Sequence, residues 1–216
     1  MGKATVDQLV RLITDRIHMG ELQPGAQLAE IPLAGEIGVS RNTLREAFRI
    51  LARDGLVEHL PNRGVFVRVI VDDADDIYAF RRFVELGALD HAHRDPHVTA
   101  RCFYAMQLAC DEAVAAAERQ DWAKAGAANG DFHQAIVDLV GCERLSDQAR
   151  VVLTQARLLF LSQADWKAVH KPFIETNRKI LGALQRDDIE QARLLLSDYL
   201  LRSERFVAES ARVYGN

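Results

Sequence analysis

Long apolar runs are missing from this chain of 216 residues. No stretch approaches the roughly 18 to 20 residues that a membrane span needs. No basic segment leading into an apolar core opens the chain, so no secretory signal is evident and a cytoplasmic location is expected. Cysteine is scarce: Cys102, Cys110 and Cys142 form an odd, widely spaced set. That spacing suits buried thiols in a reducing compartment better than a disulfide framework or a zinc knuckle. Also missing are a Gly-rich phosphate loop, a Gly-x-Ser-x-Gly elbow and paired acids in a catalytic setting. No enzyme is indicated. At 49% hydrophobic and 27% charged, the composition is that of an ordinary soluble globular protein.

What is present begins with residues 38–64. Ser40 is a good N-cap, because its hydroxyl can accept from an amide left free in the first helical turn. No Pro or Gly interrupts 41–54, and Gly55 stands where a helix C-terminal cap belongs. On that helix Leu44, Ala47 and Leu51 share one stripe, with Phe48 at its border. Arg41, Arg45 and Arg49 recur every four residues on the adjoining face. A short helical segment, 31–37, precedes the Gly38-Val39 turn and makes a helix-turn-helix. Two apolar runs, 56–60 and 65–71, are split by Pro61-Asn62-Arg63-Gly64, which fits a hairpin with a cationic tip. Together these predict a winged helix-turn-helix.

Charge supports that division. The chain carries −4 overall, but residues 1–71 are at +1, residues 72–216 at −5, and residues 41–68 at +3. The positive charge sits on the candidate reading helix and wing, while the remainder would be repelled by phosphate. The boundary is expected at Asp72-Asp73, giving domains 1–71 and 72–216. Before the reading helix, residues 3–19 follow the 3.6-residue period through Val6, Leu9, Val10, Ile13 and Ile17. After the boundary six helices are expected, over 74–93, 98–120, 122–140, 144–164, 172–185 and 188–211, with Asp95-Pro96 ending the first. Leu194, Leu195, Leu201 and Phe206 are among the apolar positions of the last. The fold class is therefore mostly α: a winged head with a small β-hairpin, then an all-α antiparallel bundle with room for an internal pocket.

The first 70 residues closely resemble the GntR superfamily of bacterial transcription regulators. The resemblance is carried by Gly20-Glu21-Leu22-Gln23-Pro24-Gly25 with Leu28 and Glu30, then Leu33-Ala34 and Gly38-Val39-Ser40-Arg41. Leu44-Arg45-Glu46-Ala47, Gly55-Leu56-Val57 and Pro61-Asn62-Arg63-Gly64 complete it. The rest resembles the FCD effector domain of the FadR branch, through Asp76-Ile77-Tyr78, Arg81, Glu85, Phe132-His133, Val140-Gly141-Cys142, Leu145, Asp188 and Ala192. The resemblance implies a homodimer on an inverted-repeat site in double-stranded DNA. It also implies a small organic acid in the bundle, often beside a divalent metal.

In that family the metal is typically held by an acid four residues before a His and by two more His on the last two helices. The corresponding positions here are Asn129, His133, Asn177 and Tyr199, so one of four keeps its usual ligand. Amide oxygens and a phenol are poor donors for first-row metals, and no metal or other cofactor is expected. Asp131, two residues from His133, would point to a different face. Two arrangements are open. In one, Asn129, His133, Asn177 and Tyr199 form a hydrogen-bonding pocket with Arg81 as the anchor for a carboxylate. In the other, these side chains satisfy one another and Arg81 pairs with Glu85 a helical turn later. His91, His93 and His97 share no helix face and read as a surface cluster; Trp122 and Trp166 read as packing residues at helix ends.

The functional expectation is a ligand-responsive transcription regulator. Arg41, Arg45 and Arg49 would contact guanine edges or phosphates, with Ser40, Asn42 and Thr43 beside them and Arg63 and Gly64 at the wing tip. The alternative is a helical ligand-binding protein whose winged head makes protein contacts.

Overall fold

A computed structural model describes residues 5–70, 73–92, 95–162 and 166–214, with side chains left undescribed at 166–170 and 210–214. The first helix, α1 (Val6–His18), is set by a capping box: Thr5 Oγ1 accepts from the Gln8 amide and Gln8 Oε1 accepts from the Thr5 amide. Its buried face is Leu9, Ile13 and Ile17. Helix α2 (Glu30–Ile37) ends at Gly38, whose φ of 76° is the left-handed cap that releases the chain into the turn. Helix α3 (Arg41–Arg53) starts at Ser40, whose Oγ accepts from the Thr43 amide at 3.1 Å. It buries Leu44, Ala47, Phe48 and Leu51. Phe48 is thus fully inside and not at the border of the stripe, because α1 and the wing close over it.

Strands β1 (Val57–Leu60) and β2 (Gly64–Val67) pair antiparallel, with Val57 opposite Val67 and Leu60 opposite Gly64. Val57, Val65 and Val67 point into the head. The strands are shorter than the apolar runs suggest, and Ile70 is buried beyond the end of the ladder. Gln27 bridges Phe66 on the outer side of β2.

Six helices follow among the described residues: α4 (Ala74–Asp90), α5 (Pro96–Glu118), α6 (Trp122–Asp138), α7 (Glu143–Leu161), α8 (Trp166–Gln185) and α9 (Ile189–Tyr214). Helix ends shift by a few residues throughout, and two starts change the reading of a proline. Asp95-Pro96 opens α5: the Asp95 side chain accepts from the His97 amide and Pro96 takes the first position, where a missing N–H costs nothing. Helix α8 begins at Trp166, so Pro172 lies inside it and removes one backbone hydrogen bond. In α9, Leu194 and Leu201 are exposed, at 60% and 41%. Cys102 and Cys110 are buried as expected, but Cys142 is exposed ahead of α7. The expected boundary and His93 fall on residues outside those described, as does the side chain of Trp166.

The apolar interior forms two clusters. One joins Ile13, Ile17, Leu44, Phe48 and Val65 of the winged head to Ile77, Tyr78, Leu158 and Val207 of the helical part. The other lies deeper in the bundle around Met106, Phe132, Ile136, Ile180 and Leu196. Head and bundle are thus packed on one another. Arg157 of α7 crosses the seam, donating to the carbonyls of His18 (3.2 Å) and Ala123 (2.7 Å). Burial pulls its guanidinium down to about 10. Gln155 Nε2 donates to the Asp54 carbonyl at 2.9 Å. Gly130 of α6 presses on α1: a Cβ there would stand 2.4 Å from His18 Cε1.

Candidate DNA-reading face and bundle site

Helix α3 turns its apolar stripe inward, and the same rotation turns Arg41, Arg45 and Arg49 outward. Their side chains are 55%, 50% and 72% exposed. They are not idle in water. Arg45 Nε lies 2.9 Å from both carboxylate oxygens of Glu30, the first residue of α2, and Arg41 reaches the same carboxylate at 3.5 Å. Hydrogen bonding and charge from Arg45, then Arg41, hold Glu30 below the usual carboxylate range, and Arg45 is raised in return. Arg49 pairs with Glu46 at 2.8 Å. Ser40 and Asn42 are exposed at the helix start, and Thr43 Oγ1 lies 2.6 Å from Ser40 Oγ.

At the wing tip Asn62 and Gly64 have positive φ, 60° and 107°. Those conformations fold the four-residue turn tightly and leave Arg63 exposed at its apex. Gln27 Nε2 donates to the Arg63 carbonyl at 2.8 Å, and the Arg63 guanidinium stands 5.3 Å from the Phe66 ring centroid. Glu30 and Gln27 are the two supporting residues that spacing alone does not reveal. Each acts on a group 15 or 36 positions away, on a different element.

The bundle site lies where α4, α6, α8 and α9 meet. Arg81 and Glu85, one turn apart on α4, pair at 2.8 Å while only 3% and 1% exposed. Glu85 Oε2 is 2.6 Å from His133 Nδ1 on α6. An ionised carboxylate only accepts, so Nδ1 carries the proton and donates. Burial alone would raise Glu85, but Arg81 and then His133 overcome it and hold the carboxyl low. Burial lowers His133 despite the opposing pull of Glu85, so its ring is neutral and Nε2 is a bare lone pair.

The other three residues connect through Asn129. Its Nδ2 donates to Tyr199 Oη at 2.8 Å, and its Oδ1 accepts from Asn177 Nδ2 at 2.8 Å. Tyr199 lies against His133 with ring centroids 4.5 Å apart, and burial raises its phenol well above the ordinary value. His133 Nε2 and Asn177 Oδ1 are buried without a hydrogen-bond partner. Arg81, Asn129 and His133 line a cavity of about 20 Å³, closed off by Leu153, Arg157 and Phe160. That is room for about one water molecule.

The donor set does not fit a first-row metal. Among the described residues no three His, Cys, Asp or Glu side chains come together to hold an ion. The carboxylate nearest His133 is engaged by Arg81. Asp131 does point to another face: its Oδ1 is 3.1 Å from His18 Nε2 of α1, without the alignment of a hydrogen bond.

A winged helix-turn-helix with an outward guanidinium row, packed on a helical bundle with a polar centre, defines a DNA-binding regulator and not an enzyme. Family comparison makes that specific. Residues 5–67 match the bacterial regulatory proteins of the gntR family and residues 76–202 match the FCD domain. The chain belongs to the GntR family of transcription regulators, and its FCD domain fits the FadR-like branch.

It is 32% identical over 194 residues to an uncharacterised HTH-type regulator in an unstable DNA locus of Streptomyces ambofaciens, covering 83% of this chain and 75% of that one. It is 23% identical over 207 residues to the transcriptional repressor RspR of Escherichia coli K12, covering 95% and 88%. The crystal structure of a GntR regulator from Rhodococcus sp. RHA1 superposes with a TM-score of 0.84 at 33% identity, covering 95% of this chain and 98% of that one. No helix among the described residues is long and apolar enough to cross a membrane.

Proposed function

We propose that this protein is a dimeric, ligand-responsive repressor that reads an inverted repeat through α3 and senses a small organic acid in the bundle. The observation that carries the reading is the guanidinium row of α3, outward on a helix whose other side is fully buried. In this reading α3 enters the major groove. Arg41, Arg45 and Arg49 address guanine edges or phosphates, Ser40, Asn42 and Thr43 lie alongside, and Arg63 and Gly64 follow the neighbouring backbone or minor groove. One such helix reads few base pairs, which supports a two-fold arrangement on a palindrome. The repressor assignment draws on RspR. The division of labour at residues 71 and 72 follows the two family matches on either side of it.

The ligand would lie among Arg81, Asn129, His133, Asn177 and Tyr199. Its carboxylate competes with Glu85 for Arg81, and its own donors meet the lone pairs of His133 Nε2 and Asn177 Oδ1. A cavity of about 20 Å³ must open to admit it, and that opening couples the site to the head. The test of the DNA reading is a salt titration of binding to the palindrome upstream of the gene. Affinity should fall steeply with salt while preference for the palindrome over random duplex persists. Binding with no salt dependence and no duplex preference would leave the alternative, a winged head that contacts proteins. A native mass spectrum of the protein as purified tests the bundle site, through a retained acid.

A further inference from the structure

Phe83 on α4 is 82% exposed, the highest value for a large apolar side chain among the described residues. Gly87 lies one turn further along the same face, and Ala79 one turn before it. Glycine is a poor helix former, and nothing inside the chain asks for it at 87: a Cβ there would meet no atom within 4 Å. The face is therefore a knob flanked by two flats. It forms a shallow groove of about 730 Å³, with Arg82, Asp90 and Arg193 on its rim.

We propose that this face of α4 is the contact with a second copy of the chain, an antiparallel pairing in which Phe83 of each copy seats on Gly87 of the other. The proposal rests on the dimer reading above and names its surface. Two-fold contacts use the same patch on both copies, so a knob must find its hole on the same element. Reversing α4 about a point midway between Phe83 and Gly87 does this twice over. Charge obeys the same symmetry. Arg82 lies toward one end of the stripe and Asp90 toward the other, so the reversal brings Arg82 to within about 3 Å of the level of Asp90 in the second copy. Within each copy Arg82 pairs with Glu204 and Arg193 with Asp90. The rim thus balances two cations against two acids, and no like charges are forced together.

The test is sedimentation equilibrium of the full chain. The unsubstituted protein should be a dimer. Phe83→Glu should weaken association at least 100-fold. Gly87→Leu should do the same while leaving the thermal midpoint of the separated chain equal or higher, since the hole is filled on an exposed helix face. Tyr104→Glu, a change at an exposed aromatic on α5, should leave association untouched. A monomeric unsubstituted chain would overturn the dimer reading and this surface together. A dimer that both α4 variants leave intact would overturn the surface alone.

Discussion

Two arginine–glutamate pairs in this molecule share one geometry and have opposite surroundings. On the head, Arg45 Nε approaches Glu30 at 2.9 Å, with side chains 50% and 25% exposed. In the bundle, Arg81 Nε approaches Glu85 at 2.8 Å, with side chains 3% and 1% exposed. The first pair contributes little to stability, because water competes for both partners and salt screens them. For the same reason it is exchangeable, and in the proposed reading a phosphate or a guanine edge takes the place of Glu30. The second pair opens only at the cost of a buried charge, unless another charged group takes the place of the partner that leaves. Distance alone therefore says nothing about what a pair does. Exposure separates a guanidinium that water can solvate from one that must always have an anion beside it.

The largest test of that contrast is Arg81→Ala. It should cost about 3–5 kcal/mol of folding stability by leaving Glu85 unpaired, measured by urea denaturation. Arg45→Ala should leave the same urea midpoint unchanged. If both substitutions cost the same stability, the contrast is broken.

On DNA the ranking reverses. Arg45→Ala should weaken binding to the preferred operator roughly 5- to 150-fold and weaken binding to random duplex less, as read by fluorescence anisotropy. Equal losses on both duplexes would make Arg45 a phosphate contact only.

A smaller effect is pH dependence. His133 is held below its ordinary value of 6.5, so as pH falls below that point the unfolded chain takes up the proton first and stability is lost. For one proton the slope is at most about 1.4 kcal/mol per pH unit. Glu85, held below 4.5, adds a loss of the same sign at lower pH. His133→Gln should flatten the decline that sets in below about pH 6.5; an unchanged slope would assign it elsewhere.

The smallest effect is Glu30→Gln. It frees Arg41 and Arg45 from their carboxylate and should raise affinity for random duplex a few-fold, with the salt slope steeper by up to about 0.9. A fall in affinity would mean that Glu30 positions Arg45 instead of restraining it.

The head was the more legible half. Ser40, Gly38 and Gly55 are local signals, and each marks a cap or turn within four residues of itself. The stripe of Leu44, Ala47 and Leu51 needs only helical periodicity to be read. Periodicity puts Phe48 at the border of that stripe, because it does not see the cover that α1 and the wing provide. In the bundle, the meeting of Asn129, Asn177 and Tyr199 was read from family positions, and their hydrogen bonds join residues 48 and 70 positions apart. Whether Arg81 faced a ligand or Glu85 could not be read at all, since an i, i+4 pair serves either arrangement equally. Leu194 and Leu201 fit an apolar pattern yet face outward, which residue type alone does not reveal.

At one point of contact between the two halves of this protein there is room for a hydrogen atom and no more. Helix α6 carries Asn129 and His133 toward the polar centre, and between them Gly130 offers its bare backbone to His18. A methyl group at position 130 would meet the imidazole and require the His18 side chain to turn away. The residue that fits α6 against the reading head is thus a chain neighbour of two side chains at the polar centre.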